Sequence, residues 1–114
     1  MQVGRQVEIV EVGPRDGLQG EPGILPTAAK VEFIERAVAS GIRRVEAASF
    51  VHPQRVPQMA DAEAVMQALP RRPGVTYVGL VLNRKGFERA VAAGCSEIGM
   101  AIAASDAFSL RNQR

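Results

Sequence analysis

"AVASGIRRVEAAS" runs from Ala37 to Ser49, and "AVAAGCSEIGMAI" runs from Ala90 to Ile102. Each reads as the end of a helix, a glycine, and then a strand. Gly41 precedes Val45 by the same four residues that separate Gly94 from Ile98. A glycine after the last periodic apolar residue is a helix stop. Helix ends rich in Ala, Gly and Val are common, so the echo alone leaves the fold open. It does suggest a repeated βα unit.

Working outward, Val7, Ile9 and Val10 alternate with Glu8 and Glu11. That predicts a strand over Val7–Val12, ended by Gly13-Pro14. Residues 13–26 hold four glycines and three prolines, the composition of a long loop. Thr27 is placed to cap a helix. Val31, Phe33, Ile34, Ala37 and Val38 then recur at helical spacing up to Gly41. Arg44–Ser49 is the second predicted strand. A proline-punctuated loop, "FVHPQRVPQM", follows it. Asp61 is placed to cap a second helix with Val65, Met66 and Leu69 on its apolar face, closed by Pro70. Val75–Leu82 is a continuous apolar run, a buried third strand. Asn83 is placed to cap a third helix, with Phe87, Ala90 and Val91 inward and Gly94 at its end. Glu97–Ala103 is the fourth strand, and Asp106–Leu110 starts a fourth helix.

That order, β-α-β-α-β-α-β, predicts an α/β fold with parallel strands joined by crossover helices. A flavodoxin-like open sheet and part of a (β/α)8 barrel both fit. A complete barrel needs about 250 residues, and the chain has 114.

Hydrophobic residues make up 46% and charged residues 23%, enough for a globular core and too apolar for disorder. Aromatics are only 4%, so Val, Ile, Leu, Ala and Met must build that core. The net charge of +2 is dispersed, with local clusters such as Arg71-Arg72 and Arg111/Arg114. No aromatics interleave with them, so nucleic-acid binding is not expected. A weak attraction for anionic substrates is compatible with the charge. No apolar run approaches the about 20 residues of a membrane span, and none resembles a signal peptide. One cysteine, Cys95, allows neither an intramolecular disulfide nor a cysteine-rich zinc site. The expected setting is cytoplasmic.

In parallel α/β folds, ligands meet the carboxyl ends of the strands. Arg15, Asp16 and Gln19 follow the first strand, Glu46 and Ser49 lie on the second, Asn83 follows the third, and Ser105 the fourth. Asp16 can give a hard oxygen to a divalent cation, and Arg15 can fork onto a carboxylate or stabilise an oxyanion. Glu46 lies in an apolar strand, so its charge must be paired or its pKa raised. Plainer readings stand beside these. "RDG" is a common turn in which Gly takes a positive φ. Glu46 can simply pair with Arg15 or Arg43. Asn83 and Ser105 are good helix caps. His52 has no second histidine to share a metal, which favours a solvated or loop-packing role. Cys95 is a small buried filler.

Four stretches in order, "VEVGPRDGLQ" (Val10–Gln19), "VEAASFVHPQRVPQMAD" (Val45–Asp61), "LNRKGFERAVAAG" (Leu82–Gly94) and "AASDAF" (Ala103–Phe108), resemble the 3-hydroxy-3-methylglutaryl-CoA lyases. The likeness covers nearly the whole chain. Related synthases and carboxyltransferases of the same barrel superfamily share "RDG" but usually carry Thr-Leu where Gly13-Pro14 stands. The position of His52 is commonly serine in the family.

The resemblance implies the first four strands of a (β/α)8 TIM barrel, with residues 1–114 as the amino-terminal part of a lyase domain. It implies metal-dependent retro-Claisen cleavage of an acyl-CoA substrate to acetyl-CoA and acetoacetate, as in leucine degradation and ketone-body formation. By the same likeness Asp16 ligates Mg²⁺ or Mn²⁺, Arg15 stabilises the enolate, and Glu46 orients both and supports proton transfer. Gln19, Ser49 and Ser105 line the acyl pocket. The family also uses a His-x-His pair, an asparagine and a loop cysteine from later strands, and none of these is in this sequence; Cys95 does not match that cysteine. Three expectations follow: an inactive fragment, a half-barrel that assembles as a homo-oligomer or with another chain, or a non-catalytic α/β module.

Overall fold

The computed structural model describes residues 4–112. Arg114, in the basic tail noted above, lies outside the described residues. Along the chain come β1 (Val10–Glu11), a π-helical turn (Gly13–Gly17), α1 (Thr27–Ala39), β2 (Arg44–Ser49), a 3-10 turn (Pro57–Met59) and α2 (Ala62–Ala68). β3 (Thr76–Val81), α3 (Arg84–Ala92), β4 (Glu97–Met100) and α4 (Asp106–Asn112) complete it.

All neighbouring strands are parallel, in the order β1-β2-β3-β4. A flavodoxin-like sheet places its first strand between the second and third. The strictly sequential order excludes that alternative. Right-handed crossovers between sequential strands lay α1, α2 and α3 on one face, which is the arc of a barrel.

The helix-covered face is the core. Val45 pairs with Tyr77 in register, and both join Ile34 and Val38 of α1, Val65 and Met66 of α2 and Ala90 of α3 in one buried cluster. Gly79 permits this packing, because a Cβ there would stand 2.7 Å from Cys95 Sγ and 2.8 Å from Phe50 Cε2. Gly41 (φ 109°) and Gly94 (φ 81°) both take the left-handed conformation. Each stands three residues before the strand it feeds, β2 or β4. The echo between the two stretches is therefore a repeated backbone device.

Several expectations change. The first strand is Val10–Glu11 rather than Val7–Val12, because β2 begins at Arg44 and offers no ladder partner before Val10. The fourth stops at Met100, where its partner β3 stops at Val81. The third is Thr76–Val81, slightly shorter than Val75–Leu82. Thr27 is not the cap of α1: Pro26 holds that position, and the Thr27 hydroxyl donates instead to Asp61 Oδ2 at 2.5 Å. Asp61 sits at the start of α2 but makes no side-chain cap bond, because Lys30 and Thr27 take its carboxylate. On α3, Ala90 is buried, but Phe87 and Val91 are exposed at 45% and 55%. Only the Gly86/Ala90 side of that short helix meets the sheet.

Candidate functional site

The mouth of β1 is shaped by one carbonyl. Pro14 has no N–H to give, so the first amides able to fold back come from Arg15 onward. The N–H groups of Arg15, Asp16 and Gly17 all point to Val12 O, at 3.1, 2.7 and 3.4 Å. The result is a tight π-helical turn over Gly13–Gly17, at the start of the long loop expected over residues 13–26. Such turns are rare and occur often at functional sites. Gly17 does not take a positive φ, so the reading of "RDG" as a glycine-dependent turn is corrected.

This turn places Arg15 over β2. Arg15 Nε donates to Glu46 Oε1, with both side chains largely buried. Glu46 is thus paired, and with Arg15 rather than Arg43. Arg15 Nη1 also lies 3.3 Å from Asp16 Oδ1. Asp16 keeps 68% of its side chain in solvent. The chain thereby presents a guanidinium held from beneath and an adjacent open carboxylate.

A bulge in β2 brings Ser49 to the same face. Glu46 pairs with Val78, but Ala48 pairs with Gly79 and Ser49 with Leu80, so one extra residue is absorbed near Ala47. Side chains alternate along a strand. Residues three apart would point to opposite faces without that insertion. With it, Glu46 and Ser49 share the face turned away from the helices. There the buried Ser49 hydroxyl donates to Gln19 Oε1 at 3.3 Å. The sequence pattern carries no sign of the bulge.

Ser105 stands apart from this group. It is exposed, and its Oγ accepts from Phe108 N at 3.2 Å, so it caps α4. Asn83 caps α3 as expected, accepting from Gly86 N at 2.8 Å, and also lines the cleft described next. His52 Nδ1 accepts from Gln54 N at 3.2 Å, a loop-packing role. Cys95 is half-buried against Gly79, and burial pushes its thiol up to about 11.

A cleft of about 380 Å³ opens just beyond the carboxyl ends of all four strands, with Gln19, Val51, Leu82 and Ala101 each contributing. Three arginines, Arg15, Arg55 and Arg111, are among its lining residues. Cationic walls with apolar patches suit an anionic, partly apolar ligand. Among the described residues, no three His, Cys, Asp or Glu side chains stand together as a metal-holding group. Asp16 fits as one oxygen ligand of a divalent cation and does not make a near-octahedral site by itself.

One buried cation escaped the sequence reading. Lys30 is 3% exposed, and its Nζ donates to Gln58 O and, at 2.5 Å, to Asp61 Oδ1. Its spacing with Ile34 and Val38 on one helix face was the available signal. No helix among the described residues is long and apolar enough to cross a membrane.

The family described as HMGL-like matches residues 6–114. A mitochondrial hydroxymethylglutaryl-CoA lyase of Arabidopsis thaliana is 54% identical over 93% of this chain and 23% of its own length. A cytoplasmic 3-hydroxy-3-methylglutaryl-CoA lyase of Homo sapiens is 52% identical over 93% of this chain and 29% of its own. Compartment thus varies among the relatives. An HMG-CoA lyase from Acenitobacter baumannii, solved in complex with coenzyme A and 3-methylmalate, superposes with a TM-score of 0.91 at 41% identity. That match covers 94% of this chain and 35% of that one. The chain spans about a third or less of these relatives. By sequence and by its arc of four parallel strands alternating with helices, it belongs to the HMGL-like family and matches the first part of the TIM barrel in HMG-CoA lyases.

Proposed function

We propose that this chain supplies the Arg15–Asp16–Glu46 side of a carbon–carbon lyase site acting on 3-hydroxy-3-methylglutaryl-CoA, as the amino-terminal part of the lyase domain. The observation that carries the reading is the Arg15–Glu46 pair, which ties the turn after β1 to β2 beside an anion-compatible cleft. In a retro-Claisen cleavage, the C3 hydroxyl loses its proton and C3 becomes the ketone of acetoacetate. The C2–C3 bond breaks, its electron pair forms the thioester enolate, and protonation at C2 gives acetyl-CoA. Arg15 has five N–H donors in a rigid fork. Glu46 takes one and fixes the plane, so the guanidinium is oriented to stabilise the enolate oxygen. Gln19 and Ser49 bound the acyl end. Asp16 is the residue that would hold Mg²⁺ or Mn²⁺, with further ligands from outside the described residues. When bound, that ion supplies Lewis-acid charge at the substrate's oxygens. A cytoplasmic setting belongs to the same reading.

The test is binding of coenzyme A thioesters to the purified 114-residue chain by calorimetry, with Mg²⁺-dependent turnover and solution mass measured alongside. Binding that Arg15→Gln weakens, without turnover, is the expected result. No binding at millimolar thioester overturns the proposal. A second reading, self-assembly into a homo-oligomer, is favoured by the edges of β1 and β4, which have no partner strand among the described residues, and by exposed Met100 and Ile102. Turnover by an oligomer selects it, and a monomeric mass eliminates it.

A further inference from the structure

The loop between β2 and α2 forms one wall of the cleft through Val51, His52, Arg55 and Val56. It is held at both ends by cations that bond its carbonyls. At the start, Arg89 Nη1 donates to Val51 O at 3.0 Å. At the end, Lys30 Nζ donates to Gln58 O. Each cation is itself fixed by a carboxylate from the beginning of α2. Glu63 receives Arg89 Nε at 2.6 Å and Nη2 at 3.1 Å. Asp61 receives Lys30 Nζ at 2.5 Å and the Thr27 hydroxyl at 2.5 Å. Arg89 also lies over the Phe50 ring, 5.6 Å from its centroid. Between the anchors the loop is stapled to itself, with the amides of Arg55 and Val56 donating to His52 O at 2.9 and 3.1 Å.

We infer that Lys30 and Arg89 are positioning residues, a two-ended clasp that fixes the 51–58 loop as the cleft wall and so sets ligand affinity. The affinity part rests on the reading of this cleft as the substrate site. The geometry argues for a clasp over simple helix packing. The cations come from two different helices, one from α1 and one from α3, and both bond backbone carbonyls of the segment that precedes α2. A lysine at 3% exposure is costly to bury unless its charge and donors are fully engaged. The Arg89 hydrogen bond holds the Glu63 carboxyl below its usual range, so the acidic half of that anchor stays ionised near neutral pH.

The test is amide deuterium exchange on the purified chain carrying Arg89→Met, Lys30→Met or Arg89→Lys, with coenzyme A affinity measured beside it. Arg89 is only partly buried, so its variants keep the experiment readable if Lys30→Met does not fold. Expected in Arg89→Met is a roughly tenfold faster exchange at Arg55 and Val56, with β3 amides changed less than about twofold. Affinity falls by about tenfold, and Arg89→Lys restores part of both. Unchanged loop exchange, or loop and β3 amides accelerating together, overturns the clasp. Absence of coenzyme A binding by the unaltered chain counts against the proposed function, and the exchange data then decide the clasp alone.

Discussion

Arg15 stands 31 residues before Glu46 and donates its Nε–H from the turn after β1 to that carboxylate within β2. The pair joins a π-helical turn to a bulged strand, so it is both the contact that orients the candidate site and a tie between two elements. Its two roles separate by substitution. Glu46→Ala leaves a largely buried guanidinium without its counter-charge, and the loss of stability expected is about 3 kcal/mol. Glu46→Gln keeps an acceptor and costs about 1 kcal/mol, while still disturbing Arg15. Urea unfolding of both variants checks this, and equal losses would show that charge is irrelevant to the pair.

Glycine positions separate backbone need from habit. Gly41 has φ 109°, and a methyl added there would meet nothing within 4 Å, so Gly41→Ala tests conformation alone. It is expected to cost about 1–2 kcal/mol. Gly17 also has open space and no positive φ. Gly17→Ala is therefore expected to change stability by less than about 0.5 kcal/mol. Thermal unfolding of the two proteins side by side gives the comparison, and a large loss at Gly17 would return "RDG" to the glycine-turn reading.

What the sequence made legible follows from local physics. β2 at Arg44–Ser49 is legible from the helix-end, glycine, strand pattern, and Asn83 and the glycine stops from cap chemistry, because each depends on neighbours a few residues away. The proximity of Arg15, Asp16 and Glu46 was legible because strand ends in a parallel fold converge. Lys30 was not, since a lysine on an amphipathic helix ordinarily faces water, and only Asp61 and Gln58, about 30 residues on, make its burial tolerable. The same long-range demand withdrew Asp61 and Thr27 from capping. The bulge at Ala47 was illegible for a related reason: register belongs to a strand pair, and β2 acquires its slip only against β3.

Cys95 gives a pH-dependent outcome. Burial raises its thiol from 9.0 to about 11 in the folded chain. The neutral thiol is thus favoured by folding, and this contribution is fully present below pH 9 and lost as pH rises toward 11. Alkylation by iodoacetamide at pH 8 is expected to run at least about tenfold slower than for a free cysteine. Its rate should climb through pH 10–11 and jump to the free value in denaturant. Rapid labelling of the folded chain at pH 8 would contradict the packed thiol.

The packing around that thiol supplies a sharper test. A methyl on Gly79 would approach Cys95 Sγ to 2.7 Å and Phe50 Cε2 to 2.8 Å. β3 is hydrogen-bonded on both sides, to β2 and β4, so its backbone has little room to retreat. Gly79→Ala is therefore expected to destabilise by about 2 kcal/mol through overpacking. Cys95→Ala removes one of the two obstacles, so the double variant should recover roughly 1 kcal/mol relative to the sum of the single changes. The remainder belongs to Phe50, whose ring is 1% exposed and sits beneath Arg89 of the clasp. If Phe50 yields by tilting, exchange at Arg55 and Val56 should rise in Gly79→Ala as well. Simple additivity in the denaturant cycle would mean that Cys95 and Gly79 do not share this space.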